Sequence, residues 1–413
     1  MLSVSLFATS AGGVRATQAA PSSASTQAVE LTWPDIVQMV DRHPSLAAAK
    51  FRTEALRGAL TTAGSVPNPS LDGTLGHGRA QVGVATRVEW GLTINMPLGW
   101  IAQRRSKIRA AEAEVAVTEA ENALLRRDVL LQLRTLFWSL AYEQERVASF
   151  EALAAQTSAL AYTVKRRMEK GEVRPVESTR VEIELEKIFG ELDAARSSLA
   201  SRQATFALWF GVPAGGTIAV RGDLSRLPVA LDLDVALVRV LQAHPALTAA
   251  HMRERALAAD LASQKLARVP DFSLVGFTTS ELDRRSLGAG FVARLPLWDW
   301  NRGGIAQAEA KLAGSRKQTE LTALQLEADV IEAQTDCQAA VLLARRFGDN
   351  VVPRSTAAAA TMERTYQLGE AGLLEVIDAR RTLIESRRLY LNALAQAQLA
   401  CSRLVVLVGG DLP

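Results

Sequence analysis

The sequence predicts a mainly α-helical protein with four β-strands, arranged as two hairpins, and with an internal duplication. Three observations support this fold class. Similar segments recur about 200 residues apart. A stretch of roughly 70 residues contains neither glycine nor proline, as expected for one very long helix. Short segments ahead of the long helices alternate apolar and polar side chains, which is the period of a strand. These patterns extend through nearly all of the 413 residues.

The duplication is visible in matched stretches. The sequence HPSLAAAKFRTEAL at 43–56 is followed by VPNPSL, and HPALTAAHMRERAL at 244–257 is followed by VPDFSL. Further along, Gly171 matches Gly369, and Glu177 matches Glu375, at nearly the same offset. We therefore predict a first repeat at 29–211, a linker or equatorial segment at 212–232, and a second repeat at 233–409.

Residues 1–28 are interpreted as a residual secretory signal or a disordered N-terminus. The segment has a short apolar start and small residues but lacks a basic beginning, and it contains no cysteine that could carry a lipid anchor. No run of 18 consecutive apolar residues occurs, which argues against an ordinary transmembrane helix. A chain of this kind crosses a membrane only as strands closed into a barrel.

Each repeat is predicted to contain a helix, a strand hairpin, a long helix and a further helix. In the first repeat these lie at about 35–63, 70–97, 101–170 and 176–210, with Gly211 and Pro213 ending the last helix. In the second they lie at 233–268, 271–296, 302–368 and 373–408. Gly348 and Pro353 interrupt the long helix of the second repeat, and Pro353 is expected to kink it because proline removes a backbone donor.

The strand segments have one apolar side. We expect the following residues to form a lipid-facing side: Val88, Trp90, Leu92, Ile94, Phe291 and Leu295. Strands of about 9 to 11 residues span a bilayer when tilted. Four strands do not close a barrel, whereas three protomers would supply twelve. Tryptophans at 90, 100, 298 and 300 suit an interfacial belt. A soluble four-stranded sheet packed on helices, or a dimeric coiled-coil rod, remains an alternative from the pattern alone.

Composition argues against several functional classes. The formal net charge is +3, and basic residues interleave with acidic ones, so no nucleic-acid footprint is present. Cys337 and Cys401 have no CxxC spacing, and we interpret them as buried small apolar residues. His43 and His244 precede proline near a helix start, and we interpret them as structural. No catalytic, cofactor-binding or metal-ligating motif is evident, so we predict a protein that is not an enzyme and needs no cofactor.

The doubled unit resembles the TolC-like outer-membrane efflux proteins over nearly the whole chain after about residue 29. The features that carry this resemblance are NPSL after the first helix, PL at each strand exit, and the segments KGEVRPVESTRVEIELE and LGEAGLLEVIDARRTLIESRRLYLNALAQAQL. GEVRPVE is most similar to the heavy-metal branch, the CzcC-like proteins that serve resistance-nodulation-division (RND) pumps.

The resemblance implies a homotrimer with a twelve-stranded barrel in the outer membrane of a Gram-negative bacterium. Long antiparallel coiled-coil helices would continue the barrel as a tunnel through the periplasm, where most of the chain would lie. Expected partners are a periplasmic adaptor and an inner-membrane RND pump, and the expected cargo is heavy-metal cations. The rival interpretation is a soluble coiled-coil scaffold or a periplasmic adaptor protein.

The resemblance also implies site residues near the two helix breakers. Gly171, Glu172, Gly369 and Glu370 would form periplasmic tips that dock the adaptor. The aperture or gate would contain Glu375, Asp378 and Glu177, with Arg180 and Arg380 close by, and Arg174 and Arg381 within one or two turns. A ring of carboxylates at a constriction concentrates cations. The alternative for Glu375 and Asp378 is an ordinary helix N-terminus, where acids are favoured by the helix dipole.

Overall fold

The structure is a computed structural model that describes residues 29–79, 86–209, 218–229, 231–281 and 283–409. The expected signal segment 1–28, and the helix stop at Gly211 and Pro213, lie outside the described residues. The elements of the first half are β1 (Val29–Leu31), α1 (Trp33–Met39), α2 (Pro44–Gly64), β2 (Ser70–Arg79), β3 (Thr86–Pro97), α3 (Trp100–Glu169) and α4 (Pro175–Trp209). Those that follow are β4 (Ile218–Val220), α5 (Leu233–Ala243), α6 (Pro245–Leu266), β5 (Asp271–Ser280), β6 (Arg285–Arg294), α7 (Arg302–Arg346), α8 (Val352–Gln367) and α9 (Leu373–Val408).

The first helical run of each half is broken in two, which the sequence prediction missed. Residues 35–63 and 233–268 were expected to be single helices, but each is interrupted at a His-Pro pair. A residue before proline is pushed out of the helical region, and His43 and His244 have ψ angles of 133° and 130°. Each histidine then caps the next helix, because its Nδ1 accepts from the backbone N–H two residues later. Their structural interpretation is confirmed.

Helix α3 is a single helix of 70 residues, as predicted, and would measure roughly 105 Å at 1.5 Å per residue. Its counterpart is interrupted as expected, but by a π turn at Phe347–Val351 and not by a simple kink. Pro353 lies in the first turn of α8, where its missing N–H costs little. Gly348 allows the ring of Tyr390 to pack against this turn, since a Cβ there would lie 3.0 Å from the ring.

A short parallel sheet joins β1 to β4, with Val29 opposite Ile218. Neither strand was predicted, and the segment 212–232, interpreted as a linker, therefore contains a strand. Arg221 extends this pairing by donating to both carboxylate oxygens of Glu30. The sheet connects the start of the described chain to the segment between the two halves.

The predicted hairpins pair into one antiparallel sheet with the order β2-β3-β5-β6. Their bounds agree with the predicted strands to within about two residues. The central pairing places Trp90 opposite Ser280 and Met96 opposite Leu274, so the first hairpin is bonded directly to the second. All four strands therefore belong to a single sheet within one chain.

The main hydrophobic core lies around the middle of α3 and the C-terminal part of α9. Its most deeply buried large side chains are Ile36, Leu133, Phe137, Leu140, Phe206, Val330 and Leu404. Two smaller clusters follow toward the Gly171 and Gly369 turns, one around Phe150 and Leu192, the other around Val164 and Leu373. The helices are thus packed together from the central core to their turns.

Cys337 and Cys401 form a disulfide between α7 and α9, which corrects the interpretation that they are unpaired apolar residues. They are buried as expected, with exposed fractions of 1% and 2%. Their Cα atoms lie 4.6 Å apart although 64 residues separate them in sequence. Sequence spacing alone did not reveal this contact, because it depends on which helices pack together. A structural disulfide is typical of an oxidising compartment such as the periplasm.

Helix α9 is long and apolar enough to cross a membrane, judged by length and composition alone. More than half of its most apolar segment is buried inside the chain, and its side chains complete the main core. We therefore interpret α9 as a core helix.

Candidate functional site

The two faces of the four-stranded sheet differ sharply in chemistry. Directly paired residues point to the same side of an antiparallel sheet, so the register assigns each side chain to a face. One side, called here the apolar face, includes Leu71, Gly73, Leu75, His77, Thr86, Val88, Trp90, Leu92, Ile94, Met96, Phe272, Leu274, Gly276, Thr278, Ser280, Arg285, Leu287, Ala289, Phe291 and Ala293.

The opposite side, called here the polar face, carries mostly hydroxyl, charged and glycine residues. It includes Ser70, Asp72, Thr74, Arg87, Glu89, Thr93, Asn95, Asp271, Ser273, Thr279, Ser286 and Arg294. Its large apolar residues are Val275, Phe277 and Val292. The ring of Phe277 covers Gly288 on the neighbouring strand, where a Cβ would lie 2.6 Å from the ring.

The apolar face is not covered by the part of the chain that the structure describes. All six residues predicted to face lipid are exposed, including Phe291 at 77%, and Leu287 on the same face is 88% exposed. A soluble sheet would bury such a face against helices, because a contiguous apolar surface in water is costly. The structure therefore contradicts the soluble packed-sheet alternative.

The outer strands of the sheet, β2 and β6, each have one hydrogen-bonded neighbour among the described strands. Their other edges present unpaired backbone N–H and C=O groups, which are free to bond another strand. Three of the tryptophans lie where strand passes into helix: Trp100 begins α3, and Trp298 and Trp300 precede α7. Trp90 lies toward the other end of the sheet, opposite Ser280 at the end of β5.

At the opposite end of the long helices, both predicted breakers form the same turn. Gly171 and Gly369 have φ angles of 77° and 78°, in the left-handed region that favours glycine. The N–H of each glycine bonds to the carbonyl three residues earlier, and the N–H of the next glutamate bonds to the carbonyl five residues earlier. This is the Schellman helix ending, which satisfies the last carbonyls and reverses the chain. Glu172 and Glu370 are exposed at these turns.

The acids predicted for the aperture are in different environments. Glu177 is half-buried and pairs with Arg174 at 3.0 Å. Glu375 is exposed in the first turn of α9, where its Oε2 accepts from the backbone N–H of Gly372 at 3.2 Å. It is thus a helix-capping residue, as the alternative interpretation expected. Asp378 is exposed one turn further along α9.

Arg174 pairs with the aperture acid Glu177, whereas Arg380 and Arg381 connect α9 to neighbouring helices. Arg380 on α9 donates to Glu363 on α8 at 2.6 Å from Nε, and to the backbone carbonyl of Gln156 on α3 at 3.4 Å. Arg381 on α9 donates to Glu184 on α4, at 3.0 Å from Nε. Hydrogen bonds from Arg381 and then Lys187 hold the pKa of Glu184 below its usual value, against its partial burial.

Glu184 and Glu363 are the residues near the tips that the sequence analysis missed. Glu184 is paired with an arginine 197 positions away in sequence, so no local spacing indicated the contact. Arg180 is exposed on α4, four residues before Glu184. Beneath the ion pairs, Val164, Val181, Leu373 and Ile377 form a small apolar cluster that holds the two turns together.

No group of three or more His, Cys, Asp or Glu residues in the described part of the chain is arranged to hold a metal ion. The charged positions near the tips are instead dispersed in ion pairs and on exposed helix faces.

A sheet with an uncovered apolar face, continued by very long helices that end in paired turns, defines a channel protein of the outer membrane. The sequence profile of the outer membrane efflux protein family matches residues 36–211 and again residues 236–410. The chain belongs to this family, which confirms the resemblance inferred from the sequence. It is a transport conduit and not an enzyme, and the rival interpretation as a scaffold or adaptor is wrong.

Comparison with individual proteins supports the assignment. The chain is 26% identical over 368 residues to the cobalt-zinc-cadmium resistance protein CzcC of Cupriavidus metallidurans, covering 88% of this chain and 86% of the relative. Its fold is similar to that of CusC, with a TM-score of 0.78, 16% identity and coverage of 96% of both chains. It is also similar to the outer membrane protein VceC of Vibrio cholerae, with a TM-score of 0.74, 18% identity and coverage of 92% and 96%.

Proposed function

We propose that three copies of this chain form a passive conduit that exports heavy-metal cations across the outer membrane. An inner-membrane RND pump would supply the cations through a periplasmic adaptor. The two halves, 29–211 and 233–409, would act as pseudo-equivalent repeats around the barrel and tunnel, with 212–232 as the equatorial connection. The energy would come from the pump, since a passive channel requires no nucleotide.

The observation that supports this proposal most strongly is the four-stranded sheet. Its apolar face needs a non-aqueous environment, and its edges at β2 and β6 need hydrogen-bond partners. Both needs are met if β6 of one copy pairs with β2 of the next. Three copies of four strands give twelve, an even number within the range of bacterial barrels. The apolar face would then contact lipid and the polar face would line the lumen.

The geometry of the tips supports a gated periplasmic end. Glu375 and Asp378 are exposed on one side of α9, so three copies would place six carboxylates around the opening. Such rings attract cations and repel anions. The contacts of Arg380 with Glu363 and of Arg381 with Glu184 join α9 to α8 and to α4, so that breaking them would release the tips from one another. The Gly171 and Gly369 turns would be the adaptor-docking points.

The likeness to CzcC supports heavy-metal cations as the substrate class. A conduit needs no tight metal site, because strong binding inside a channel slows release. Deletion of the gene, followed by growth on cobalt, zinc, cadmium, nickel and copper salts and on organic toxicants, tests this class. Increased sensitivity to one or more of the cations is expected. Sensitivity to organic compounds only would contradict the metal substrate and would leave the channel architecture intact.

Trimer closure can be tested by cross-linking the two sheet edges. Thr74 on β2 and Ser286 on β6 lie on the polar face in the same register level, at opposite edges of the sheet. A chain carrying Thr74→Cys and Ser286→Cys, treated in outer-membrane fractions with a bismaleimide whose flexible spacer is long enough for the stagger of a closed barrel, should give covalent trimers in denaturing gels. Thr74→Cys alone should give no such trimers. Barrel closure would be refuted if the cross-linked double variant runs as a monomer in the denaturing gel and the uncross-linked protein elutes as a monomer from a size-exclusion column in detergent.

A further inference from the structure

A cavity of about 290 Å³ lies between α3, the start of α6, α7 and the end of α9. Five of its lining residues are large and apolar: Leu124, Leu131, Leu326, Val406 and Leu407. Five others are ionisable: Arg127, Asp128, His244, Asp329 and Arg403. Concave, largely apolar cavities with a few polar groups are typical of small-molecule sites. This one is distant in sequence from both the tips and the sheet, and the proposed channel function does not use it.

His244 directs an unpartnered donor into this cavity. The residue is only 5% exposed, and its Nδ1 accepts from the backbone N–H of Ala246 at 3.2 Å. With Nδ1 acting as an acceptor, the neutral imidazole carries its proton on Nε2. Burial, and then the nearby charge of Arg127, lower the pKa of His244 to about 4, so the ring is neutral at physiological pH. Its Nε2–H has no acceptor among the described residues.

Arg127 supplies a positive charge that no acid in the described part of the chain neutralises within ion-pair distance. Its guanidinium lies against the backbone of Gly409, and its one hydrogen bond to the protein there is a long one of 3.4 Å to the carbonyl of Leu407. Burial lowers the pKa of Arg127. By contrast, Arg403 in the lining of the same cavity is paired with Asp329 at 3.0 Å and Glu332 at 2.9 Å. Arg127 and Asp128 are therefore the charged lining residues that have no ion-pair partner among the described residues.

The corresponding histidine of the first half also lines a cavity, of about 300 Å³, but its ring has different contacts. The ring of His43 is stacked on Trp209, with centroids 4.8 Å apart, and its Nδ1 also contacts the hydroxyl of Ser45 at 2.7 Å. His43 is half-buried, whereas His244 is buried and has no stacked ring among the described residues. Helix capping is common to both histidines, so it does not explain why the second one faces a charged cavity.

We propose that this cavity binds a small organic anion, with its carboxylate between the Arg127 guanidinium and the His244 Nε2–H and its apolar body against the apolar lining residues. A carboxylate would accept from both donors and balance the charge of Arg127. The apolar lining residues distinguish such a ligand from an inorganic oxyanion, which would leave them in contact with water. Asp128 is exposed at the rim, and its negative charge opposes the ligand.

Benzoate is a suitable probe because it combines a carboxylate with an apolar ring small enough for the cavity. Isothermal titration calorimetry of benzoate into the purified protein in amphipol should show saturable binding at one site per chain. Benzamide, with the same ring but no charge, and inorganic phosphate, with charge but no ring, should both bind more weakly. Loss of the charge in Arg127→Gln should weaken benzoate binding by about tenfold or more, as expected for a charge-assisted hydrogen bond.

Two further variants test the geometry without removing the helix cap. His244→Asn retains an acceptor for the α6 N–H but has no Nε2–H, so benzoate binding should weaken while α6 stays capped. Asp128→Asn should strengthen binding. The matched control is Arg126→Gln, since Arg126 is the neighbour of Arg127 but pairs with Asp41 at 3.1 Å outside the cavity. Equal affinities for benzoate and benzamide, unchanged binding in Arg127→Gln, or no saturable benzoate binding would each overturn the proposal. None of these results depends on whether the chain forms a metal-exporting trimer.

Discussion

The disulfide between Cys337 and Cys401 should contribute measurably to the stability of the helical part of the chain. The test compares protein refolded under oxidising conditions with the same protein refolded in reductant. Every side chain is then retained, and only the S–S bond differs. The bond closes a segment in which the two cysteines are 64 residues apart. The chain-entropy relation for a loop of this length gives about 4 kcal/mol at 25 °C.

This free energy can be converted into a shift in unfolding temperature. An unfolding entropy of about 2.1 cal/mol/K per residue gives roughly 0.9 kcal/mol/K for a chain of 413 residues. A loss of about 4 kcal/mol therefore lowers the midpoint by approximately 5 °C. The midpoint would be followed by circular dichroism at 222 nm in detergent, at one scan rate for both forms, because large membrane proteins often unfold irreversibly.

Thiol alkylation in denaturant provides the independent control. Protein purified without reductant and then denatured should be alkylated at neither cysteine. Protein reduced in denaturant should be alkylated at both. Two reactive thiols in the untreated protein, or midpoints that agree within about 1 °C between the oxidised and reduced forms, would refute the reasoning. The double variant with alanine at both positions should resemble the reduced form, apart from the loss of two buried sulfur atoms.

Three further predictions concern the aperture, the sheet and pH. Replacing Glu375 and Asp378 with alanine should lower cation selectivity in planar-bilayer conductance, because six carboxylates would leave the opening; unchanged selectivity would contradict their aperture role. Leu92→Arg should destabilise the proposed trimer by about 2 to 4 kcal/mol per copy if Leu92 faces the bilayer centre, whereas Thr93→Arg on the polar face should be tolerated. Equal losses of trimer on gels would contradict the assignment of the two faces. The pKa of His244 is lowered from 6.5 to about 4 in the folded chain, so folding favours the neutral ring. The resulting contribution to the free energy of unfolding is fully present above pH 6.5 and is lost as the pH falls toward 4. From pH 7 to pH 4.5, this loss should reach about 2 to 3 kcal/mol in denaturant unfolding, and His244→Asn should reduce the dependence.

Much of the architecture was predictable because its determinants are local. The absence of glycine and proline from 101–170 indicated α3, and the alternation around Trp90 indicated β3 and its apolar face. The glycines at 171 and 369 indicated both turns, because left-handed helix endings favour that residue. In each case the signal lies within a few residues of the element that it specifies.

The elements that were missed depend on distant contacts or on weak local signals. Strand β1 has three residues and is defined by its pairing with β4, almost 190 positions later. The disulfide and the Arg381–Glu184 ion pair also depend on how helices pack. The breaks at His43 and His244 were different, since the proline that follows each histidine was a usable local signal. Their interpretation as single helices gave too much weight to the apolar periodicity on either side.

The site was predicted less completely than the fold. The family resemblance implied that Glu375 and Asp378 are acids near a turn, and both are exposed there. The partners of Arg380 and Arg381 could not be deduced, because a basic residue on a long helix has acids available on every neighbouring helix. Their choice of Glu363 and Glu184 is determined by the packing of α9 against α8 and α4.

The bond between β3 and β5 has a consequence for biogenesis. Trp90 and Ser280 are neighbours in the sheet but are 190 positions apart, so a chain exported from its N-terminus onward would deliver the first hairpin long before its partner strand. During that interval the apolar side chains of the hairpin would be exposed to water, and pairing between remote segments is slow. We therefore expect the exported chain to depend on a holding chaperone until the second hairpin has been delivered, and a shortage of such chaperones should cause the chain to aggregate.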